Sequence, residues 1–247
     1  MQESNIGTEA AARAQPKACR YGINAAVLKY LAVVAMLCDH IAASLGALPS
    51  LRHAYQPMRF IGRFAFPVYC FFIVEGFKYS RDRWKYLRNI CIFAVLSQVQ
   101  FVKAFYPQSN IFEKLNVNCT LALGLVSIWI LDNALKTVRR RAVHIAAACL
   151  CIGGLCFAAY RLSTDYRYGG VLLIVLLYLL KQYRPLALLA GYVWICCYNP
   201  TEVYAFPAFL MLMLYNGKRG RQNKWFFYAF YPAHLVVLAV LRAKFGI

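Results

Sequence analysis

The sequence predicts an all-α protein, a polytopic bundle of transmembrane helices. Of its 247 residues 62% are hydrophobic and only 15% are charged, whereas charged residues make up about a quarter of an average soluble domain. Apolar runs recur from about residue 25 to the C-terminus, and each is broken by a short basic or Pro/Gly-containing link. A soluble core of this size does not need so many uniformly apolar helices, so the pattern predicts a chain that crosses a bilayer many times.

The chain divides into a short tail and one membrane domain. Residues 1–24 are polar and lack a hydrophobic signal core, which predicts a flexible cytosolic N-terminal tail. Residues 25–247 form the single transmembrane domain. The ten cysteines show no CxxC or Cys/His pattern and lie mostly inside apolar segments. We therefore interpret them as small buried hydrophobes and predict no metal site.

We predict about nine spans, with eight to ten as the range. The sixth to eighth are shorter than the ~20 residues that a perpendicular helix needs, and two of them could form a re-entrant pair. In chain order the spans cover residues 25–47, 59–77, 89–106, 117–135, 142–160, 168–181, 185–199, 203–216 and 225–245.

The distribution of positive charge predicts the orientation. A net charge of +19 would suggest nucleic acid as the partner of a soluble protein. Here the basic residues cluster between apolar spans, as the positive-inside rule requires. With a cytosolic tail, the inner segments hold 19 of the 28 Lys and Arg residues. We predict a cytosolic N-terminus, and a lipid bilayer rather than nucleic acid as the partner.

The stretch AVVAMLCDHIAASLG places Asp39 and His40 inside the first span. Ionisable residues within a span are costly and by default indicate function. In the predicted topology Arg63 of the second span lies at a similar depth, so the three groups could face one cavity. Neighbours on a helix point about 100° apart, so Asp39 and His40 should not form a simple dyad. A purely structural Asp39–Arg63 ion pair is the competing interpretation.

Other polar residues inside the apolar runs are also candidates. His234 lies near the middle of the last span and is the second candidate base. Glu75, Gln98, Asn118 and Asp165 are candidate substrate contacts. A snorkelling position at a helix end explains Glu75 as well, and hydrogen bonding between helices is an alternative for Gln98 and Asn118.

The link YNGKRGRQNKW brings flexible backbone and cations together on the predicted inner surface. It contains Lys218, Arg219 and Arg221, and Lys78 and Arg81 lie in another inner link. Such a cluster could bind a nucleotide phosphate, although it lacks the GxxxxGK[ST] pattern of a P-loop. Any inner loop is basic, so the cluster alone is weak evidence.

Six stretches of the sequence follow one another in a specific order. They are LKYLAVVAMLCDHI, MRFIGRFAFPVYCFFIVEGF, KYLRNICIFAVLSQVQF, NCTLALGL, DYRYGGVLLIVLLYL and LYNGKRGRQNKWFFYAFYPAHL. Together they resemble the motifs of the TraX family, which is named for the membrane protein that N-acetylates conjugative pilin, and the resemblance covers about residues 27–240. The third stretch reads SQVQF where the family pattern has an acidic residue and a proline, so Gln98 keeps hydrogen-bonding capacity without charge.

The resemblance implies an acetyltransferase of the bacterial cytoplasmic membrane that takes acetyl-CoA from the cytosol. The acceptor would be an amine or hydroxyl of a peptide or small molecule. His40 would act as general base or carry the acetyl group, Asp39 and Arg63 would shape the site, and His234 is the alternative base. The CoA phosphates would contact Lys218, Arg219, Arg221, Lys78 and Arg81.

Two other functions stay open at this level. In a proton-coupled transporter the Asp39, His40 and Arg63 set would be an ion relay. Many transporters are built from internal repeats, and none is evident here. In a non-catalytic membrane scaffold the same residues would only hold helices together.

Overall fold

The computed structural model describes residues 22–247, which fold into ten α-helices and two short 3₁₀-helices, without a β-strand in that range. The predicted all-α class is thus confirmed there, while residues 1–21 of the predicted tail lie outside the described residues. The helices are α1 (Ala25–Leu45), α2 (Tyr55–Gly62), α3 (Ala65–Tyr79), α4 (Arg83–Phe105), α5 (Val117–Lys136), α6 (Arg141–Arg161), α7 (Arg167–Leu179), α8 (Arg184–Tyr198), α9 (Phe206–Met213) and α10 (Lys224–Phe245), with 3₁₀-helices at Pro49–Leu51 and Pro200–Ala205.

Each of the nine predicted spans coincides with a helix, the second with α2 and α3 together. In the part of the chain that the structure describes, five helical segments are long and apolar enough to cross a membrane: α1, α2 together with α3, α5, α6 and α10. Helices α7 and α8 have 13 and 15 residues and reach only about 20 Å. Helix α9 has eight residues. The number of spans and the orientation of the N-terminus stay predictions.

Short polar side chains define where several helices begin. The side-chain oxygen of Asn24 accepts a hydrogen bond from the Val27 amide, and that of Asp82 accepts one from the Lys85 amide. Asn116 and Asn223 cap α5 and α10 in the same way. Each cap satisfies an amide that the first helical turn leaves without a partner, which stabilises a helix start by about 1 kcal/mol.

The segments that connect the helices lie at two opposite ends of the bundle, and hydrogen bonds join them to one another at each end. At one, which we call the tail end, Ile23 before α1 donates to the Leu214 carbonyl before α10, at 2.9 Å. At the other, the far end, the links before α5 and α7 pair through the Asp165 amide and the Leu115 carbonyl, also at 2.9 Å. Arg242, near the far end of α10, donates hydrogen bonds to backbone carbonyls of α1 and α4.

A buried carboxylate ties three helices together at the tail end. Asp132 of α5 accepts hydrogen bonds from Arg83 of α4 and Lys136, both at 2.8 Å. The Tyr178 hydroxyl of α7 donates to its other oxygen at 2.6 Å. The Asp132 side chain is only 10% exposed, so these partners replace the water that it has lost.

Replacing Asp132 with alanine should lower the free energy of unfolding by about 1–3 kcal/mol, because Arg83 and Tyr178 lose their shared acceptor. Thermal unfolding of the purified protein in detergent measures the effect. Lys136→Ala is the matched control: that ammonium is 65% exposed, so its loss should cost less than about 0.5 kcal/mol. Equal melting temperatures for wild type and Asp132→Ala would contradict the assigned role.

Candidate functional site

Two histidines from opposite ends of the sequence form a hydrogen-bonded pair between α1 and α10. His40 Nδ1 lies 2.7 Å from His234 Nε2, and His234 Nδ1 lies 2.7 Å from the Phe230 carbonyl oxygen. A carbonyl can only accept, so His234 Nδ1 donates to it. In the neutral pair His234 Nε2 then accepts from His40 Nδ1. This order leaves the lone pair on His40 Nε2 available to a proton, so His40 is the basic end of the pair. We call His40, His234 and the Phe230 carbonyl the histidine relay.

His40 lines a small cavity of about 50 Å³ at the meeting point of α1, α2, α3 and the link before α7. Asp39 lines the same cavity but has a different hydrogen-bonding partner from His40, so the two residues form no dyad, as predicted. The full lining is Met36, Asp39, His40, Gly62, Ala65, Phe66, Tyr69, Val117, Asp165 and Tyr166.

The ion pair between Asp39 and Arg63, the competing structural interpretation, does not form, because each residue has another partner. Arg59 Nη1 donates to Asp39 Oδ2 at 2.7 Å, and Arg63 Nη1 donates to Glu202 Oε1 at 2.9 Å. Arg59 precedes Arg63 by one helical turn and lies where α2 packs on α1. Arg63 lies at the bend between α2 and α3, beside the second 3₁₀-helix. Asp39 Oδ1 is buried without a hydrogen-bond partner within residues 22–247.

The close crossing of α1 and α2 depends on Gly62. A Cβ atom at this position would overlap with Cβ, Cγ and Oδ1 of Asp39. The absent side chain therefore allows Arg59 to reach the Asp39 carboxylate. This explains why glycine precedes Arg63 in the stretch FIGRFAF.

Glu202 is a buried acid that sequence reasoning missed. Its side chain is fully buried, and Oε2 lacks a hydrogen-bond partner in the described part of the chain. Burial raises the pKa of this carboxyl to about 7, although the Arg63 guanidinium opposes the shift. Glu202 lies in the link between α8 and α9 and is one of only nine acidic residues in the sequence. That scarcity is the signal that could have identified it.

A second, wider recess opens at the far end, and we call it the far-end pocket. It has a volume of about 260 Å³ and shares Asp165 and Tyr166 with the histidine cavity. The Tyr166 ring stacks on Phe66, with 3.5 Å between centroids, and its hydroxyl accepts from Arg63 at 3.4 Å. The lining residues are Arg63, Phe101, Tyr106, Lys114, Leu115, Ser163, Thr164, Asp165, Tyr166, Arg167, Tyr198 and Asn199.

Two adjoining recesses at the tail end are rich in cations. The larger, of about 510 Å³, is lined by Lys29 and Arg219 together with Glu75. The smaller, of about 150 Å³, adds Lys78, Lys181 and Arg184 and shares Glu75, Tyr79, Tyr215 and Gly217 with the first. Of the predicted CoA contacts, Lys78 and Arg219 lie here, whereas Lys218, Arg221 and Arg81 line neither recess. Sequence reasoning assigned no role to Lys29, Lys181 or Arg184.

The tail-end recesses and the histidine cavity lie on the same two helices. On α3, Phe72 lines the larger recess and Tyr69 lines the cavity, one turn apart. On α1, Lys29 lines the larger recess and Met36 lines the cavity. These two residues are two turns apart, which is about 10 Å along the helix axis. A long flexible ligand arm therefore has only a short distance to cover between the two.

The remaining predicted contacts have other surroundings. Gln98 donates to the carbonyls of Ile111 and Lys114, both at 2.6 Å, and accepts from the Asn116 amide. Its amide is occupied in holding the link between α4 and α5. Asn118 has a buried Nδ2 without a hydrogen-bond partner among residues 22–247. Glu75 lies in the tail-end recesses and Asp165 in the cavity, so these four residues do not meet in one site.

Comparison with known proteins gives one family and one relative. The family described as TraX protein matches residues 24–242. The chain is 30% identical to "Probable fimbrial assembly protein FimC, serogroup H1" of Dichelobacter nodosus over 233 residues, which cover 85% of this chain and 92% of the relative. No solved structure matches the chain.

Gly62→Ala should destabilise the protein by about 1–3 kcal/mol, because the new Cβ must displace Asp39 from the crossing. Thermal unfolding in detergent measures this change. Gly153→Ala on α6 is the matched control, since its Cβ would meet nothing within 4 Å. Alanine there should be neutral or stabilising by up to about 1 kcal/mol. A neutral Gly62→Ala would show that the crossing tolerates a side chain.

Proposed function

The chain belongs to the TraX family, and we propose that it is an integral-membrane acetyltransferase of the bacterial cytoplasmic membrane. Acetyl-CoA would enter from the cytosol at the tail end, and an amine or hydroxyl of a peptide or other acceptor would enter at the far end. The printed name of the relative supports an acceptor connected with fimbrial assembly. The observation that carries this proposal is the histidine relay, because it leaves the Nε2 lone pair of His40 as its basic end and His40 lines a cavity.

His40 Nε2 is the proposed general base. It takes a proton from the acceptor while the acceptor's lone pair attacks the thioester carbonyl. The C–S bond then breaks, and the CoA thiolate leaves and takes the proton from His40 Nε2, which restores the neutral base. His234 supports the step because it accepts from His40 Nδ1, and the Phe230 carbonyl holds it in the tautomer that can do so. A transient acetyl group on His40 is the alternative route within the same geometry.

The residues around the cavity supply charge for the same reaction. Arg59 holds Asp39 in place and leaves Oδ1 free to orient the acceptor. Arg63 lies at the edge between the cavity and the far-end pocket, where its guanidinium can stabilise the developing oxyanion. Glu202 fixes Arg63 by a charge-assisted hydrogen bond.

The tail-end recesses supply the chemistry that a CoA nucleotide requires. Five cations line them, whereas Glu75 is their one acidic residue. Lysine and arginine bind phosphate oxygens by charge-assisted hydrogen bonds. The pantetheine arm would then run between α1 and α3 toward His40. The five cations are Lys29, Lys78, Lys181, Arg184 and Arg219.

His40→Ala should lower acetyl transfer by about 100-fold or more, because it removes the general base. His234→Gln should cost less, about tenfold, since the amide oxygen can still accept from His40 Nδ1. Transfer of label from [¹⁴C]acetyl-CoA to peptides with free amino groups, by purified protein in nanodiscs, measures both.

His144→Ala is the matched control for these variants, because this histidine lies exposed on α6. Its turnover should equal that of the wild type. Full turnover in a folded His40→Ala variant would refute the assignment. A transporter or scaffold would transfer no label even as the wild type.

Lys29→Gln with Lys181→Gln should raise the KM for acetyl-CoA about tenfold or more and leave kcat nearly unchanged, since both cations would contact phosphate far from the reacting carbonyl. Steady-state kinetics separate the two constants. The matched control is Lys218→Gln with Arg221→Gln, which removes two basic residues outside the recesses. A larger increase in KM for the control pair would contradict this assignment and would indicate that the link before α10 binds the CoA phosphates.

A further inference from the structure

The far-end pocket carries two cations that have no ion-pair partner within residues 22–247. Arg63, Lys114 and Arg167 line it, and the acidic residue in its described lining is Asp165. Arg63 pairs with Glu202, whereas Lys114 and Arg167 take part in none of the described ion pairs. Their charged groups lie 5.9 Å from the centroid of the Tyr106 ring and 5.5 Å from that of the Tyr160 ring. These two charges are available to a ligand.

The pocket is also built on constrained backbone. Ser163, Tyr166 and Arg167 have φ angles of 44°, 60° and 42°. Non-glycine residues rarely adopt this region, and such conformations cluster at ligand sites. The segment is held in place by backbone hydrogen bonds to Leu115 and by the Thr120 hydroxyl, which donates to the Asp165 carbonyl. These hydrogen bonds therefore fix the backbone position from which the Arg167 side chain extends.

We propose that the far-end pocket selects acceptors that carry a carboxylate close to the group that receives the acetyl, and that Lys114 and Arg167 bind this carboxylate. The inference rests on the proposed acetyl transfer and deepens it by naming the class of acceptor. Asp165 and Tyr166 line both the pocket and the His40 cavity. An acceptor can thus place its reacting group at His40 and an acidic side chain in the pocket.

The size of the pocket favours a peptide side chain as the occupant. Its volume is about 260 Å³, its lining comes largely from the links before α5 and α7, and it shares Asp165 and Tyr166 with the cavity that His40 lines. An acidic residue within the first few positions of a peptide fits this space. A lipid phosphate has the same charge, so the experiment must separate the two sources.

The test compares three peptide amides, Ala-Asp-Ala, Ala-Ala-Ala and Ala-Lys-Ala, as acceptors in nanodiscs of zwitterionic lipid. The wild type should acetylate Ala-Asp-Ala about tenfold more efficiently than Ala-Ala-Ala, with Ala-Lys-Ala slowest. Lys114→Glu with Arg167→Glu should reverse the order. Lys114→Gln with Arg167→Gln should abolish the preference, and an unchanged KM for acetyl-CoA verifies that each variant is folded.

Arg161→Glu is the matched control, because this exposed arginine at the far end of α6 does not line the pocket. It should keep the preference of the wild type. Equal efficiencies for all three peptides in the wild type would overturn the inference and leave the proposed function standing. Equal losses for Arg161→Glu and the double variants would also overturn it, since surface charge alone would then explain the preference.

Absence of transfer to every peptide would count against the proposed function instead. Binding of the same peptides, measured by isothermal titration calorimetry, then decides on the pocket: tighter binding of Ala-Asp-Ala that the Glu double variant loses supports it, and equal binding refutes it. Nanodiscs with phosphatidylglycerol supply the lipid phosphate. Competition of this lipid with the acidic peptide in the wild type alone would assign the pocket to a headgroup and overturn the acceptor assignment.

Discussion

A polar group buried in an apolar helical bundle must find a partner within the protein, and the arrangement of this bundle depends on that constraint. Asp132 is surrounded by donors from three helices, Asp39 by Arg59, and Arg63 by Glu202. These contacts hold the helices together. The polar atoms that stay without a partner are then informative. Asp39 Oδ1, at the histidine cavity, and Glu202 Oε2, beside Arg63, are two of them in residues 22–247.

The hydrogen bonds of the histidine relay determine which ring nitrogens carry protons. The Phe230 carbonyl determines the proton position on His234, and His234 determines that on His40. Two residues separated by 194 positions in the sequence are thereby joined in one hydrogen-bonded unit. Because α1 and α3 line both the cavity and the larger tail-end recess, the proposed donor arm would have to extend only about 10 Å along these helices.

Much of the fold could be predicted from the sequence, because hydropathy reports directly on burial in lipid. All nine predicted spans coincide with helices, and His40 and His234 stand out as ionisable groups in apolar runs. The pairing of charges could not be predicted. Arg59 and Arg63 lie four residues apart, and only the tertiary packing of α2 against α1 decides which of them meets Asp39. Glu202 lies in a link whose position depends on tertiary packing. Lys29 and Arg184 line adjoining recesses only because tertiary packing brings α1 and α8 to the same end of the bundle.

The most direct test of the account is a cryo-EM map of the protein in nanodiscs with a non-reactive acetyl-CoA analogue. The account predicts phosphate density in the tail-end recesses beside Lys29 and Arg184, and a pantetheine arm that passes between α1 and α3 to end at His40 Nε2. Nucleotide density in the far-end pocket, or an arm that ends away from the two histidines, would contradict it.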